Sequence, residues 1–163
     1  PVFFIPLVLN AYLLCLLLLG RRASSRLARL AVVVPAVVTM DVVLDPAAVA
    51  LGFWEFAAGG VFYGVPLSNY AGWVVSAVVA VGVLDAALDQ PALIDRLQRC
   101  NFMLDDMVSF VLLWGSINVW FGNWLAVVAA TVFGAGILRV KSFDVELLRP
   151  STGIYLPRVD RGN

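Results

Sequence analysis

Residues 27–46 read LARLAVVVPAVVTMDVVLDP, an apolar stretch that carries Asp41 and stops at Asp45-Pro46. A membrane-spanning helix needs roughly 17–25 mostly apolar residues, and residues 27–44 meet that length. Gly52, Phe53, Trp54, Glu55 and Phe56 follow, and the next apolar run opens with Leu67, Ser68, Asn69, Tyr70, Ala71, Gly72 and Trp73. No lysine or arginine lies between Arg29 and Arg96, so Asp41, Asp45 and Glu55 have no basic partner nearby in the sequence. An acid near a bilayer core is costly, and it usually faces a protein-lined site rather than lipid. The stretch therefore predicts a membrane helix and marks where its chemistry would sit.

The rest of the chain extends that reading. Of the 163 residues, 62% are hydrophobic and 13% charged, with a mean hydropathy of +0.94, values that belong to an integral membrane protein. Apolar runs at 2–19, 27–44, 67–84, 108–121 and 124–138 predict an all-α, polytopic membrane helix bundle of about five spans. The first run lacks a basic leader and ends in an arginine cluster, unlike a signal peptide. The basic residues fall in three groups: Arg21, Arg22, Arg26 and Arg29; Arg96 and Arg99; and Arg139, Lys141, Arg149, Arg158 and Arg161. Five crossings put all three groups on one side, which the positive-inside rule makes cytoplasmic. The expected placement is a cell membrane, with the N-terminus of the chain outside and the C-terminus in the cytoplasm. Residues 1–140 form the transmembrane domain, and 141–163 read as a cytoplasmic tail broken by Pro150, Gly153 and Pro157. Pro1 leads directly into a span, so the chain is expected to be a piece of a longer protein.

Several function classes drop out. A net charge of zero offers no basic surface for nucleic acid. The absence of histidine removes Ser-His-Asp triads and histidine metal sites. Cys15 and Cys100 fall too far apart in this topology to pair. Lys141 lies beyond the last span and cannot carry a retinal Schiff base within the membrane.

Residues 46–66 are expected to form a short re-entrant or interfacial outer segment. Asp45-Pro46 has the form of a helix N-cap with proline at the first helical position. A short helix to about residue 58 would end at Gly59-Gly60, and Ser68 or Asn69 would cap the third span. Non-helical backbone at membrane depth is tolerated where it is buried in protein or lines a cavity. On the inner side, residues 85–106 (DAALDQPALIDRLQRCNFMLDD) predict a short amphipathic helix broken by Pro91. Their acids read as a solvated charged loop.

Asp41 and Asp45 are four residues apart, so on a continuing helix they share a face, separated by roughly 6 Å along the axis. Two such carboxyl groups in a low dielectric cannot both ionise cheaply, and a neutral carboxylic acid is what a general acid must be. Asp45 has an alternative role as a cap, Asp41 as an interfacial polar residue, and Glu55 as a membrane-surface residue. Trp54, Tyr63, Tyr70 and Trp73 suit either an interfacial aromatic belt or a pocket that stabilises a cation through ring faces. Asn69 could orient a water or cap a helix. Asn118 and Asn123 suit interhelical hydrogen bonding.

The order of Asp41, Asp45-Pro46, Glu55 and the segment from Gly64 through Asn69 to Trp73 resembles the carotenoid-biosynthesis membrane hydratases. That family includes carotenoid 1,2-hydratases and hydratases of bacterioruberin-type pathways. The likeness rests on residues 41–73, and the hydrophobic layout extends it over most of the chain. It implies water addition across a terminal isoprenoid C=C of a carotenoid in the lipid bilayer, with no redox cofactor and no metal. Other carotenoid-biosynthesis membrane enzymes would be possible partners. By this resemblance Asp41 or Asp45 donates the proton, Glu55 is its partner or the water base, and Asn69 orients the water. Trp54, Tyr63, Tyr70 and Trp73 would form the substrate-binding surface. Two other classes remain open. One is a non-enzymatic carotenoid-binding, channel or transport subunit. The other is a membrane prenyltransferase, because Asp41-x-x-x-Asp45 and Asp85-x-x-x-Asp89 both have a spacing that suits Mg²⁺.

Overall fold

The computed structural model describes residues 4–57, 59–97 and 102–140. The tail at 141–163, with Lys141, and Arg99 and Cys100 lie outside them. The described residues form six helices: α1 (Phe4–Leu19), α2 (Arg26–Ala50), α3 (Leu67–Ala87), α4 (Gln90–Leu97), α5 (Phe102–Phe121) and α6 (Trp124–Val140). A 3₁₀ turn, Gly20–Ser24, joins α1 to α2. This is an all-α membrane bundle. Four of the helical stretches are long and apolar enough to cross a bilayer. The fifth predicted span corresponds to α6, 17 residues long, or about 25 Å at 1.5 Å per residue.

The bundle is organised around α2, which packs against α1, α3, α5 and α6. Ser25 begins it as an N-cap, its hydroxyl accepting from the Ala28 N–H at 3.4 Å. The helix's inner face buries Val33, Val37, Met40 and Leu44. By contrast, α3 turns Val74, Val75, Val78, Val79 and Val83 outward, as suits helices whose outside meets lipid. The closely packed pair α5 and α6 uses small residues where the helices meet. A Cβ on Gly115 would come within 3.4 Å of the Ala130 Cβ, the kind of small-residue contact common between membrane helices.

Two local expectations are corrected. First, Asp45-Pro46 does not start a helix: α2 runs through Pro46 to Ala50. Proline cannot donate to the Val42 carbonyl and crowds that turn. Support comes from α5, where Asn118 Nδ2 donates to the adjacent Val43 carbonyl at 2.7 Å and to the Trp114 carbonyl at 2.9 Å. Asn123 Nδ2 in turn donates to Asn118 Oδ1 at 2.9 Å. Asn118 thus makes the interhelical bond, and Asn123 supports it from the turn between α5 and α6.

Second, the connection from α2 to α3 contains turns rather than a short helix. Phe62 and Val65 pair across an isolated antiparallel bridge, with Tyr63 (φ 49°) and Gly64 (φ 86°) at its tip. Gly60 lies so close beneath it that a Cβ would stand 1.9 Å from the Val65 carbonyl carbon. Only glycine fits there. The turn is fastened to α6 through the Tyr63 hydroxyl, which accepts the Leu125 N–H at 3.1 Å.

On the opposite end of the bundle α4 forms as expected, but Pro91 does not break it. Pro91 sits in the first turn, where its missing N–H goes unused, and the Asp89 carboxylate caps the turn by accepting the Ala92 N–H at 3.2 Å.

Candidate functional site

Because α2 continues past Asp45, Asp41 and Asp45 do lie on one helical face, and both point at α3. Asn69 Nδ2 donates to Asp41 Oδ2 at 3.1 Å and to Asp45 Oδ2 at 2.5 Å. The two carboxyl groups are also within hydrogen-bonding reach of each other. Asp41 is 0% exposed and Asp45 3%. Relative to the midpoint of α2, Asp41 lies about 5 Å and Asp45 about 10 Å toward the C-terminal end, inside a hydrocarbon half-thickness of about 15 Å. Asn69 does not cap α3: the residue before the helix is Pro66, which makes no side-chain cap. Its amide is committed to the acids instead.

One amide cannot compensate two carboxylates. No guanidinium or ammonium group forms an ion pair with either acid among the described residues. Burial penalises the charged forms, and two adjacent anions repel, so a shared proton is the arrangement this geometry favours. Two buried side-chain atoms among the described residues have no hydrogen-bond partner, and both belong here: Asp41 Oδ1 and the Tyr70 hydroxyl. The Tyr70 ring stands edge-on to Phe62, with centroids 5.9 Å apart.

The other predicted residues are placed as follows. Trp73 lies one turn along α3 from Asn69, half-buried, its ring 5.0 Å from that of Phe4. Trp54 is half-buried and packs on the core from the α2–α3 connection. Tyr63 holds the tight turn described above. Glu55 is exposed, and no hydrogen bond or ion pair joins it to the acids among the described residues. The structure brings together Asp41, Asp45, Asn69 and Tyr70, and it leaves Glu55 outside that group.

A second polar cluster, partly buried, corrects the expectation that Asp85 belongs to a solvated loop. Asp85 belongs to the last turn of α3 and accepts from Arg29 Nε and Nη2, each at 2.7 Å, and from the Tyr12 hydroxyl at 2.7 Å. Arg29, 5% exposed, also donates through Nη1 to the Ala23 carbonyl. Its presence within an apolar run was the available signal, since an arginine at that depth calls for a counter-ion. The engagement of both Asp85 oxygens with Arg29 and Tyr12 leaves Asp85 no free oxygen for a diphosphate-bound metal, contrary to the prenyltransferase reading. Elsewhere, α1, α2 and α6 enclose an apolar groove of about 680 Å³, whose lining includes Leu14, Val32, Pro35, Thr39 and Phe133. Thr39 and Asp41 are about 200° apart around α2, so the groove opens away from the acids.

Bisanhydrobacterioruberin hydratase of Haloarcula japonica is 53% identical over 153 residues, covering 94% of this chain and 52% of that protein. The chain thus spans about half the length of the curated relative it matches. No solved structure matches it. The family model described as carotenoid biosynthesis protein matches residues 1–137, and the chain belongs to that family.

Proposed function

We propose that this chain carries the acid site of a membrane hydratase that adds water across the terminal isoprenoid C=C of a bacterioruberin-type or related carotenoid. One observation supports this above the rest: within an apolar helix long enough to span a membrane, two buried carboxyl groups are bridged by an amide, with no cation paired to them among the described residues. The similar Haloarcula japonica protein is named as a hydratase, which is consistent with that chemistry.

The reaction begins when the carboxylic acid of the pair gives its proton to the less substituted alkene carbon. The π electrons form the new C–H bond and leave a tertiary carbocation. Water attacks that carbon, and the partner carboxylate takes the water's proton, so alkene and water become a tertiary alcohol with nothing oxidised or reduced. A proton then crosses between Asp41 and Asp45 to reset the pair. Asn69 holds both carboxyl groups in place. The faces of Tyr70 and Trp73 supply cation–π stabilisation, and Trp54 and Tyr63 belong to the cover over this end. Arg21, Arg22 and Arg26 put the opposite end of α2 in the cytoplasm, and the acids in the outer half of the membrane.

The test is oxygen tracing. The full-length protein in liposomes, given a carotenoid with unhydrated isopropylidene ends, should place oxygen from ¹⁸O-labelled water in the product hydroxyl. Incorporation from molecular oxygen would mean a hydroxylase and would overturn the reading. Orientation is checked separately with cysteines at Val61 and Ala92, which should be labelled from outside and inside respectively.

A further inference from the structure

The hydratase mechanism needs a bound water, and the acid pair alone does not say where that water lies or which aspartate does what. The unpartnered atoms do. A buried polar atom without a hydrogen bond costs about 1–3 kcal/mol, and such atoms are few in folded proteins. Among the described residues both of them, Asp41 Oδ1 and the Tyr70 hydroxyl, belong to the α2–α3 helix pair that Asn69 bridges. They lie on facing helices, and Tyr70 follows Asn69, whose amide already touches Asp41. The Tyr70 ring is held by Phe62, which is fixed in turn by its backbone bridge to Val65, at 2.9 and 3.3 Å. A buried water typically takes two to four polar partners.

We propose, building on the hydratase reading, that Asp41 Oδ1 and the Tyr70 hydroxyl hold the attacking water, which makes Asp41 the base and Asp45 the acid. One O–H of the water donates to Asp41 Oδ1 and the other to the Tyr70 oxygen, leaving a lone pair free to attack. Asp45, already receiving the Asn69 amide on Oδ2, gives its proton to the alkene. The tertiary cation forms, the water oxygen bonds to it, and the released proton passes to Asp41 Oδ1. It returns to Asp45 across the pair. Tyr70 is a positioning residue in this scheme: it fixes the water and exchanges no proton with substrate.

The two half-reactions separate in heavy water. Protonation of the alkene followed by loss of a proton exchanges deuterium into recovered substrate without hydration, and that path needs Asp45 but not the bound water. With full-length protein in liposomes, Tyr70→Phe should lower hydration by up to about 10²-fold, the scale for a misplaced reactant. Deuterium exchange should persist, so the ratio of exchange to hydration rises. Asp41→Asn should also lose hydration and keep exchange, whereas Asp45→Asn should lose both. An active wild type with an unchanged ratio in Tyr70→Phe overturns the water site. Exchange lost in Asp41→Asn but kept in Asp45→Asn overturns the assignment of acid and base. A wild type that neither hydrates nor exchanges overturns the hydratase reading, and this inference falls with it.

Discussion

Two polar clamps tie α2 to α3, one near each end, and they are built on opposite principles. At the end that begins α2, Asp85 faces Arg29 through two hydrogen bonds and takes a third from Tyr12, with Arg26 3.8 Å away. Negative charge meets positive, and both carboxylate oxygens are occupied. At the other end two acids share one neutral amide, and one oxygen is left over. Both clamps connect the same two antiparallel helices, so helix association alone does not require the second to be left uncompensated. A site that only holds helices together completes its electrostatics, whereas a site that moves protons keeps a group whose state can change. On the hydratase reading proposed above, the difference separates structural polarity from chemical polarity within one helix pair.

The largest expected effects test that contrast directly. Asp45→Asn removes the transferable proton, and general acid catalysis contributes about 10²–10⁴-fold, so turnover should fall by that much. Thermal unfolding in detergent should change little, because the amide keeps the shape and removes a costly buried acid. Asp85→Asn should do the reverse. It leaves Arg29 buried without its counter-charge, a loss of about 3–5 kcal/mol when one partner of a buried pair is removed. The unfolding temperature should drop, while the remaining folded protein keeps its activity per molecule. If Asp45→Asn unfolds the protein and Asp85→Asn silences it without unfolding, the roles assigned to the two ends are reversed.

A smaller effect sharpens the same point. Replacing a buried ion pair by apolar residues of similar volume is often neutral or stabilising by about 1–4 kcal/mol. The double substitution Arg29→Met with Asp85→Leu should therefore recover most of the stability that Asp85→Asn loses, as read by thermal unfolding. The Asp41–Asp45 pair has no equivalent rescue: Asp41→Leu with Asp45→Leu should fold and remain inactive. An Arg29→Met, Asp85→Leu double variant no more stable than Asp85→Asn would show that the clamp contributes specific geometry beyond charge balance.

Much of this was legible in the sequence, and the misses have a common cause. The five apolar runs give the helices because lipid imposes length and composition directly. The four-residue spacing of Asp41 and Asp45 gives their shared face because helical period does. The Asp45-Pro46 pair, however, carries a local signal for starting a helix, and tertiary packing overrides it. Asn118, far along the chain, steadies the turn around Pro46, and Asp45 turns its side chain to Asn69 instead of to its own backbone. Asn69 was open to a capping role for the same reason. Asp85 was assigned to solvent because it stands among other acids, while its partner is 56 positions upstream. Local pattern does not register a pairing that only the antiparallel packing of two helices creates. An arginine inside an apolar run was the trace it left.

The smallest effect concerns the tryptophans, and it asks whether the chemical end extends beyond its polar atoms. Trp73 lies one turn from Asn69 and is half-buried against Phe4. Trp124 opens α6 and is 63% exposed, facing the surroundings of the bundle. If a carbocation forms beside the acid pair, the Trp73 ring stabilises it by about 2 kcal/mol when desolvated, a factor of roughly 30 in rate. Trp73→Ala should therefore reduce turnover about tenfold or more, and Trp124→Ala by less than twofold, with carotenoid binding measured alongside to separate the cation from the ground state. A loss in kcat at Trp73 with binding retained places the ring beside the developing charge. Equal, small losses at both positions would make Trp73 an interfacial anchor like Trp124, and would confine the chemical end to Asp41, Asp45, Asn69 and Tyr70.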